Sequence, residues 1–377
     1  MSSSPGAAVR QVLDLLVANG RLPGYACALR HRGQVEVLVG GVLTLGEDRP
    51  VQPSTPFRLS SVTKVFAAVL ALSLVEDGTL SLEDEVRRWL PELAEPRVLR
   101  DPLGPLDDTE PAAAPITVGH LLTNTAGIGG VWEESPMQTA MVDGGLFPGP
   151  FAPEVGPDEY VRRLAALPLV AQPGSAWRYH TGSDLLGVLL ARATGRSVAA
   201  LLDERVVGPL ELTSTGFAAD GGALPTAYQP DDDDVLHVAD PPGGRFSAPP
   251  AFESLAAGLV SSAPDVLALL TALADGGAPL LRPATVARMT TEAITPAQRA
   301  ASADFLGDGV SWGLHVGVRP DDGRWGWDGG SGTSGWVDPA RDVVGVLLTQ
   351  RHFGGTEDTA AAFWEAVRGT CPHETAA

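Results

Sequence analysis

The chain has 377 residues, of which 44% are hydrophobic, so it is long enough for two or three domains with sizeable cores. Its 26 basic and 46 acidic residues give a net charge of −20, which argues against nucleic acid or an anionic membrane as a partner. No apolar segment reaches the length of a membrane span, and the N-terminal segment lacks the basic region of a signal peptide. We therefore expect a globular cytoplasmic protein whose two cysteines, Cys27 and Cys371, are free and reduced rather than paired across the termini.

Strand patterns are predicted only towards the two ends of the chain. A helix at 7–19 is followed by short strands at 25–30 and 34–39, which form a β-hairpin. The middle of the chain is rich in Pro and Gly, and its helical segments are short: 86–93, 117–122, 157–167, 183–194 and 198–207. The C-terminal part contains helices at 263–277 and 283–290, strands at 311–318, 324–328, 334–337 and 343–350, and a closing helix at 356–367.

Strands at both ends with helices between them predict an α+β fold. The strands would form one antiparallel sheet, flanked by the terminal helices, with a helical subdomain inserted. The predicted domains are a discontinuous sheet domain of residues 1–81 and 245–377 and a mainly helical subdomain of residues 82–244. We expect the active site in a cleft between the two.

One stretch carries the clearest chemical signal. Residues 65–75 are apolar almost without interruption, which predicts a helix buried on all sides with Ser61 at its N-terminus. The unpaired N–H groups of a helix N-terminus lower the electrostatic cost of deprotonating a hydroxyl there. Lys64 lies three residues on, on the same helix face, and is the only lysine of the chain. Because a desolvated ammonium can become a neutral base and a guanidinium cannot, the pair indicates a nucleophile and its base; the alternative is a Ser cap followed by a solvent-directed Lys.

Two further stretches supply groups that a Ser/Lys pair needs for proton transfer and for stabilising an oxyanion. The loop 173–182 contains Tyr179, whose phenol would be acidified by a cationic lysine and could relay a proton. The adjacent His180 is the alternative for that role. The segment 327–333 ends a predicted strand with glycines that let the backbone approach a ligand; the alternative is a Gly-rich hairpin turn.

In order and separation, these motifs resemble those of the serine β-lactamase and penicillin-binding-protein superfamily. The resemblance covers most of the chain and is to the class C-like branch, which includes family VIII carboxylesterases, D-aminopeptidases and related acyltransferases. The matching segments are the Ser-x-x-Lys motif at 57–64, the helix-and-loop signature at 116–128, Tyr179-His180-Thr181 at the Tyr-x-Asn position, residues 257–262, and Trp327-Asp328-Gly329 at the Lys-Thr-Gly position. The implied fold is β-lactamase/transpeptidase-like, in agreement with the α+β arrangement.

The resemblance also implies roles for single residues. Ser61 would be the nucleophile, Lys64 its base and Tyr179 the proton relay. The N–H groups of Ser61 and Gly330 would form the oxyanion hole. The expected substrate-binding residues are Asn124, Trp177, Thr181, Trp327 and Gly329.

Two positions depart from the family pattern. Thr181 replaces the amide side chain that in lactamases helps to hold the acylamide of the substrate. Trp327 replaces the cationic or imidazole residue that helps to bind the substrate carboxylate. Because tryptophan offers a flat apolar surface, both changes favour esters with an apolar group over β-lactams and over peptides with a free carboxylate.

We therefore predict a serine hydrolase that forms an acyl-enzyme on Ser61, specifically a carboxylesterase for small apolar esters. The main alternative is an acyltransferase of natural-product biosynthesis, which shares the acylation step; a D-aminopeptidase, a β-lactamase and a non-catalytic binding protein on the same scaffold are less favoured. The partner is a small-molecule ester or acyl compound. No cofactor or metal is expected, because His120, His315 and His352 have no metal-ligand spacing, and no Gly-x-Ser-x-Gly nucleophile elbow occurs.

Overall fold

The computed structural model describes residues 5–356 and 358–371. Its strands are β1 (Gly24–His31), β2 (Gln34–Gly41), β3 (Phe57–Arg58), β4 (Arg97–Leu99), β5 (Thr109–Pro111), β6 (Ala227–Pro230), β7 (Leu236–Asp240), β8 (Val260–Ser261), β9 (Ser311–Trp312), β10 (Gly317–Val318), β11 (Trp325–Gly329), β12 (Thr333–Asp338) and β13 (Val343–Thr349). Its α-helices are α1 (Pro5–Ala18), α2 (Thr63–Glu76), α3 (Val118–Leu122), α4 (Pro136–Asp143), α5 (Pro157–Ala165), α6 (Thr181–Thr194), α7 (Val198–Leu202), α8 (Ala263–Ala274), α9 (Pro283–Met289), α10 (Pro296–Ala301), α11 (Ala303–Leu306) and α12 (Thr359–Thr370).

Strands from both ends of the chain form one antiparallel sheet, in the order β2-β1-β13-β12-β11-β10-β9. Strand β1 pairs with β13 in a register that runs from Tyr25 opposite Thr349 to His31 opposite Val343. The apolar strand β13 is buried along its whole length because helices cover both faces of the sheet. An added Cβ at Gly345 would lie 2.6 Å from Trp364 of α12, and one at Gly335 would lie 3.1 Å from Leu270 of α8. The predicted fold class is thereby confirmed.

Helix α2 is buried on every side, as its sequence predicts. Every residue from its start to Leu74 is buried. Strand β3, which precedes the helix in the chain, pairs with β8. A 3-10 turn (Ser60–Val62) then leads directly into the helix. Ser60 has φ +46°, a left-handed conformation that is uncommon outside glycine. This backbone places Ser61 at the start of the buried helix.

The predicted strand at 311–318 is wrong. The segment is a short hairpin of two strands at one edge of the sheet, in which β9 and β10 pair with each other and Gly313 N donates to Val316 O over 2.8 Å. A Cβ at Gly313 would lie 2.3 Å from the carbonyl oxygen of Met289, so only glycine fits where this turn packs against the end of α9. Alternation of apolar residues continues across the turn, which is why the sequence pattern suggested one strand.

The middle of the chain has more regular structure than predicted. Two short ribbons, β4–β5 and β6–β7, escape detection because their strands are three to five residues long. Helix α4 was not predicted either, and the segment 86–93 contains two 3-10 turns (Val86–Arg88 and Pro91–Leu93) instead of one helix. In the C-terminal part, helices α10 and α11 were also not predicted. The domain boundaries at residues 82 and 244 stay a prediction.

Cys27 and Cys371 are free and buried. Over residues 5–356 and 358–371, no single helix is long and apolar enough to cross a membrane. One pair of helices, Thr181–Thr194 and Val198–Val207, meets the length and composition criteria together, but it is bent by 84°. Its first helix is largely buried inside the protein.

Candidate active site

Ser61 and Lys64 lie in hydrogen-bond contact at the start of α2. The Lys64 ammonium is 3.2 Å from Ser61 Oγ and donates to the carbonyl oxygen of Ala256 over 2.8 Å. Lys64 is completely buried, and this burial lowers its pKa strongly, although the nearby Asp184 carboxylate acts in the opposite direction. The sequence spacing thus brings together a hydroxyl and an amine that is easily deprotonated.

Tyr179 approaches the same pair from the loop before α6. Its phenol lies close enough to the Ser61 side chain for Ser61 to lower the phenol pKa, and Lys64 Nζ lies 4.5 Å from the centre of its ring. The indole nitrogen of Trp327 donates to the Tyr179 oxygen over 2.5 Å. The expected acidification of the phenol is wrong: burial raises the pKa of Tyr179, and the bonds from Ser61 and Trp327 offset this only in part. The resting phenol is therefore protonated.

A strained turn follows Tyr179. His180 has φ +82° and ψ −64°, and Thr181 N donates to Tyr179 O over 3.2 Å, which together make a γ-turn of the rare positive-φ form. The turn directs the His180 ring towards Asp184, with His180 Nε2 3.7 Å from the carboxylate. In the described part of the chain, no hydrogen bond joins His180 to Ser61 or Lys64. Tyr179 therefore fits the relay role better than His180.

Asp184 belongs to the site and was missed in the sequence. It is buried in the first turn of α6, where its Oδ1 accepts from Ser254 Oγ over 2.6 Å and from Ala256 N over 3.3 Å. Burial raises its pKa, and the bond from Ser254 and the charge of Lys64 oppose that rise. Ala256 also accepts from Lys64, so Asp184 holds the backbone that positions the ammonium. The available signal was a carboxylate in the first turn of a helix that begins two residues after Tyr179.

The end of β11 passes next to the nucleophile. A Cβ at Gly329 would lie 2.3 Å from Leu59 O and 3.1 Å from Ser61 N, so only glycine permits this approach. The next residue, Gly330, lines the same cavity as Ser61. The Ser61 N–H is among the first of its helix, which have no intrahelical acceptor. Ser61 and Gly330 therefore both border the cavity, and their role as an oxyanion hole stays a prediction.

The cavity beside Ser61 has a volume of about 510 Å³. Of the residues predicted from sequence, Ser61, Tyr179, Trp327 and Gly330 line it. Its rim is aromatic and was not predicted, because three separate segments supply it: Trp132, Phe305 and Phe353, which are 47%, 40% and 47% exposed. The site therefore combines a polar floor with an apolar mouth.

The structure places four of the predicted substrate-binding residues behind the cavity lining rather than in it. Trp177 stacks on Tyr179 with ring centres 5.4 Å apart, and Thr181 is completely buried at the start of α6. Asn124 is buried as well, and its side-chain amide has no hydrogen-bond partner in the described chain. Gly329 contacts Leu59 as described above. These four residues are not part of the cavity lining, and their contact with substrate stays a prediction.

The three histidines considered as metal ligands lie apart. His120 Nδ1 accepts from Thr117 N over 3.2 Å, His315 Nδ1 lies 2.9 Å from Leu122 O, and His352 packs against Phe151 with ring centres 5.9 Å apart. No group of three or more His, Cys, Asp or Glu side chains that could hold a metal ion occurs in the part of the chain that the structure describes.

Comparison with known proteins places this geometry in a family. Protein Rv1367c of Mycobacterium tuberculosis (strain ATCC 25618 / H37Rv) is 34% identical over 381 residues, which cover 94% of this chain and 92% of that protein. Esterase EstB of Burkholderia gladioli is 31% identical over 384 residues, with coverage of 94% and 92%. The solved structure of EstCE1, described as a hydrolase with promiscuous acyltransferase activity, is 28% identical, has a TM-score of 0.82, and the match covers 97% of this chain and 98% of that one.

These similarities confirm the superfamily and the enzymatic character expected from the sequence. The family model Beta-lactamase matches residues 9–369, nearly the whole described chain. The chain therefore belongs to the Beta-lactamase family.

Proposed function

We propose that this protein is a carboxylesterase that acts through an acyl-enzyme on Ser61. The observation that carries the proposal is the 3.2 Å contact between Ser61 Oγ and a completely buried Lys64. Because burial lowers the pKa of that lysine, a neutral amine is available to take the serine proton. The esterase EstB, at 31% identity, supports the same class of reaction.

In the acylation step, Lys64 accepts the Ser61 proton while Oγ forms a bond to the ester carbonyl carbon. The carbonyl oxygen becomes an oxyanion, which the N–H groups of Ser61 and Gly330 would stabilise. As the carbonyl re-forms, the bond to the alcohol oxygen breaks. Tyr179 gives its proton to the departing alkoxide and receives one from Lys64, which restores both groups.

In the second half-reaction, water gives a proton to the same Tyr179 and Lys64 pair and attacks the acyl-enzyme. Collapse of the second tetrahedral intermediate releases the carboxylic acid and returns a proton to Ser61. Burial raises the pKa of Tyr179, so its phenol is protonated at rest and can donate a proton to the departing alkoxide in the acylation step.

The substrates proposed are esters with an apolar group. The cavity is lined by Trp327 and, at its mouth, by Trp132, Phe305 and Phe353. These rings bury apolar surface without requiring a charge on the ligand. A cytoplasmic location is part of the same proposal.

Acyl transfer is the second candidate, and the aromatic mouth of the cavity favours it. Apolar side chains exclude water and bind an apolar alcohol or amine by apolar contact. Such a compound can replace water as the acceptor of the acyl group. EstCE1, at 28% identity, is described as having both activities.

Covalent labelling tests the proposal. A fluorophosphonate should add a single label, and peptide mapping should place it on Ser61, with no label in Ser61→Ala. A label on Ser331 or Ser334 would contradict the assignment. Incubation of the protein with p-nitrophenyl butyrate and rising concentrations of an alcohol or amine then distinguishes the two reactions, since a hydrolase yields the acid and a transferase diverts the acyl group to the acceptor.

A further inference from the structure

A second cavity, of about 550 Å³, adjoins the active-site cavity and extends along α12. The two cavities share four lining residues, Val310, Asp328, Trp336 and Phe353. We call the second cavity the α12 groove. Nothing in the reaction described above uses it.

The α12 groove lies between β11 and α12. Successive residues of a strand point to opposite faces, so Arg324, Gly326 and Asp328 share the face that forms its floor. On the helix side, Ala361, Trp364 and Arg368 lie three and four residues apart and therefore line one face. Gly329, which touches Ser61, is five residues of extended strand from Arg324, so the groove spans about 16 Å from the nucleophile.

Four arginines meet at the distal end of the groove. They are Arg319, Arg324, Arg341 and Arg368, and we call them the arginine cluster. Two carboxylates form ion pairs with them in the described part of the chain: Asp322 pairs with Arg324 at 2.7 Å and with Arg319 at 3.6 Å, and Asp338 pairs with Arg341 at 2.8 Å. Four guanidinium groups therefore share two carboxylate partners.

Arg368 is the member of the cluster without a partner. It forms no ion pair or hydrogen bond with any residue of the described chain, although it is partly buried in the groove wall. Burial lowers its pKa, the charges of Arg324, Arg341 and Arg319 lower it further, and the charge of Asp338 opposes this change. A partly buried guanidinium among like charges is costly unless an anion joins it.

Negative charge lies at the opposite end of the groove. Asp328 accepts bonds from Ser334 at 2.5 Å and from Trp336 at 2.9 Å, and Asp358 caps α12 through Ala361 N at 2.8 Å. Between the two ends, the lining includes the apolar side chains of Trp336, Trp364 and Ala361. The groove therefore has an acidic end near Ser61, an apolar middle and a basic distal end.

We propose that the α12 groove binds the chain of a long aliphatic ester that ends in a carboxylate, with the arginine cluster holding that carboxylate while Ser61 attacks the ester carbonyl. The fork of donors in a guanidinium matches a carboxylate, and the apolar middle accommodates methylene groups. The acidic near end repels a carboxylate, so the chain enters with its charged end directed away from Ser61. This proposal rests on the ester hydrolysis proposed above.

The hydrolytic test compares three substrates at concentrations below micelle formation. Mono-p-nitrophenyl tetradecanedioate is long enough for its carboxylate to reach the arginine cluster. The uncharged twin of this ester, with the same chain length but no carboxylate, is p-nitrophenyl tetradecanoate. Mono-p-nitrophenyl succinate carries the carboxylate on a chain too short to reach the cluster. The ratio of kcat/KM for the long charged ester to that for its twin is the readout. We expect this ratio to fall at least about tenfold in Arg368→Ala and in Arg324→Ala, the worth of a charge-assisted hydrogen bond.

The matched control is Arg162→Ala, an arginine on α5 whose side chain is 67% exposed and which pairs with Glu159. It should keep the wild-type ratio. The proposal is overturned if the wild type does not favour the long charged ester over its twin, or if the ratio survives in both cluster variants. Arg368→Gln keeps most of the side-chain packing and decides the matter if the alanine variant does not fold.

A binding measurement separates this proposal from the esterase proposal. Calorimetric titration of Ser61→Ala with tetradecanedioate needs no hydrolysis, and we expect binding that weakens at least about tenfold when Arg368→Ala is added. Binding of that kind by a protein that hydrolyses no ester would leave the groove assignment standing and remove the esterase. Equal affinity for tetradecanedioate and its uncharged dimethyl ester would overturn the groove assignment alone.

Discussion

The indole N–H of Trp327 donates to the phenol oxygen of Tyr179 over 2.5 Å. The resemblance to lactamases places a cationic or imidazole residue at this position, where it helps to bind the substrate carboxylate. A neutral donor in its place fixes the Tyr179 oxygen beside Ser61 and adds no positive charge to the cleft. We expect this one residue to keep the phenol in place for proton transfer and to disfavour substrates with a carboxylate near the reacting carbonyl.

Trp327→Phe should therefore lower kcat more than it raises KM. The variant keeps an aromatic surface in the cavity but removes the donor that orients Tyr179. We expect a fall in kcat of up to about tenfold, the worth of one hydrogen bond. Trp132→Phe is the matched control, because Trp132 lines the same cavity without touching Tyr179, and its effect should fall on KM. Unchanged kcat in Trp327→Phe would show that the bond does not orient the phenol.

Lys64→Arg tests whether the amine acts as a base. Arginine keeps the positive charge but does not release its proton, so the variant should be nearly as inactive as Ser61→Ala, with a loss of about 10²–10⁴ in kcat. Burst amplitudes with p-nitrophenyl acetate separate acylation from turnover. Activity retained in the arginine variant would show that the site needs only charge at this position. A melting curve checks that the larger guanidinium is accommodated.

Tyr179→Phe should lose about 10²–10⁴ in kcat, the usual contribution of general acid–base catalysis, while the fold is preserved. The variant removes one oxygen from a ring that otherwise packs against Trp177 and Phe305. His180→Ala is the comparison that decides the relay. A larger loss in His180→Ala than in Tyr179→Phe would exchange the two roles.

The parts of the site that the sequence predicted are those that depend on local spacing. Ser61 and Lys64 are three residues apart on one helix, so their contact follows from helix geometry alone. Asp184 reaches Lys64 only because α6 packs beside α2, a long-range contact that no local pattern encodes. The orientation of Trp177 and the raised pKa of Tyr179 depend on burial, which a loop sequence does not reveal.

In the fold as well, the elements that the sequence predicted are those with a long local pattern. Strands β1, β2 and β13 have apolar runs or alternation of five or more residues, and they were predicted close to their observed bounds. The hairpin of β9 and β10 was not, because each strand has two residues and the turn between them preserves the apolar pattern. Short elements held by tertiary packing leave too little periodicity to recognise.

The acid limb of the pH profile should report the buried pair of Lys64 and Asp184. Burial lowers the pKa of Lys64 to about 7, so kcat/KM should rise as the pH increases through that range and the amine becomes neutral. Asp184 stabilises the charged amine and acts to raise that pKa. Removing its charge in Asp184→Asn should therefore move the acid limb to lower pH.

The control for this experiment is Asp158→Asn, since Asp158 is 88% exposed on α5 and pairs with Arg192. Its profile should match that of the wild type. A shift of the acid limb to higher pH in Asp184→Asn would contradict the electrostatic role, because a neutral amide cannot stabilise the ammonium. Loss of activity at every pH with no shift would mean that Asp184 only holds the Ala256 backbone.

The last prediction concerns substrate class. In the described part of the chain, no Lys or Arg side chain lines the cavity beside Ser61, and the backbone of Arg324 lies about 16 Å from Gly329 along the strand. A β-lactam carries its carboxylate close to the carbonyl that is attacked, so that carboxylate would meet Trp327 and the Asp328 carboxyl instead of a cation. Short aryl and alkyl esters need no such partner. We expect measurable hydrolysis of p-nitrophenyl butyrate and turnover of nitrocefin at least about a hundredfold slower, because a charged group left without a partner costs several kcal/mol. Nitrocefin turnover comparable to that of the best ester would contradict the argument from Trp327, and retention of that turnover in Ser61→Ala would assign it to a contaminant.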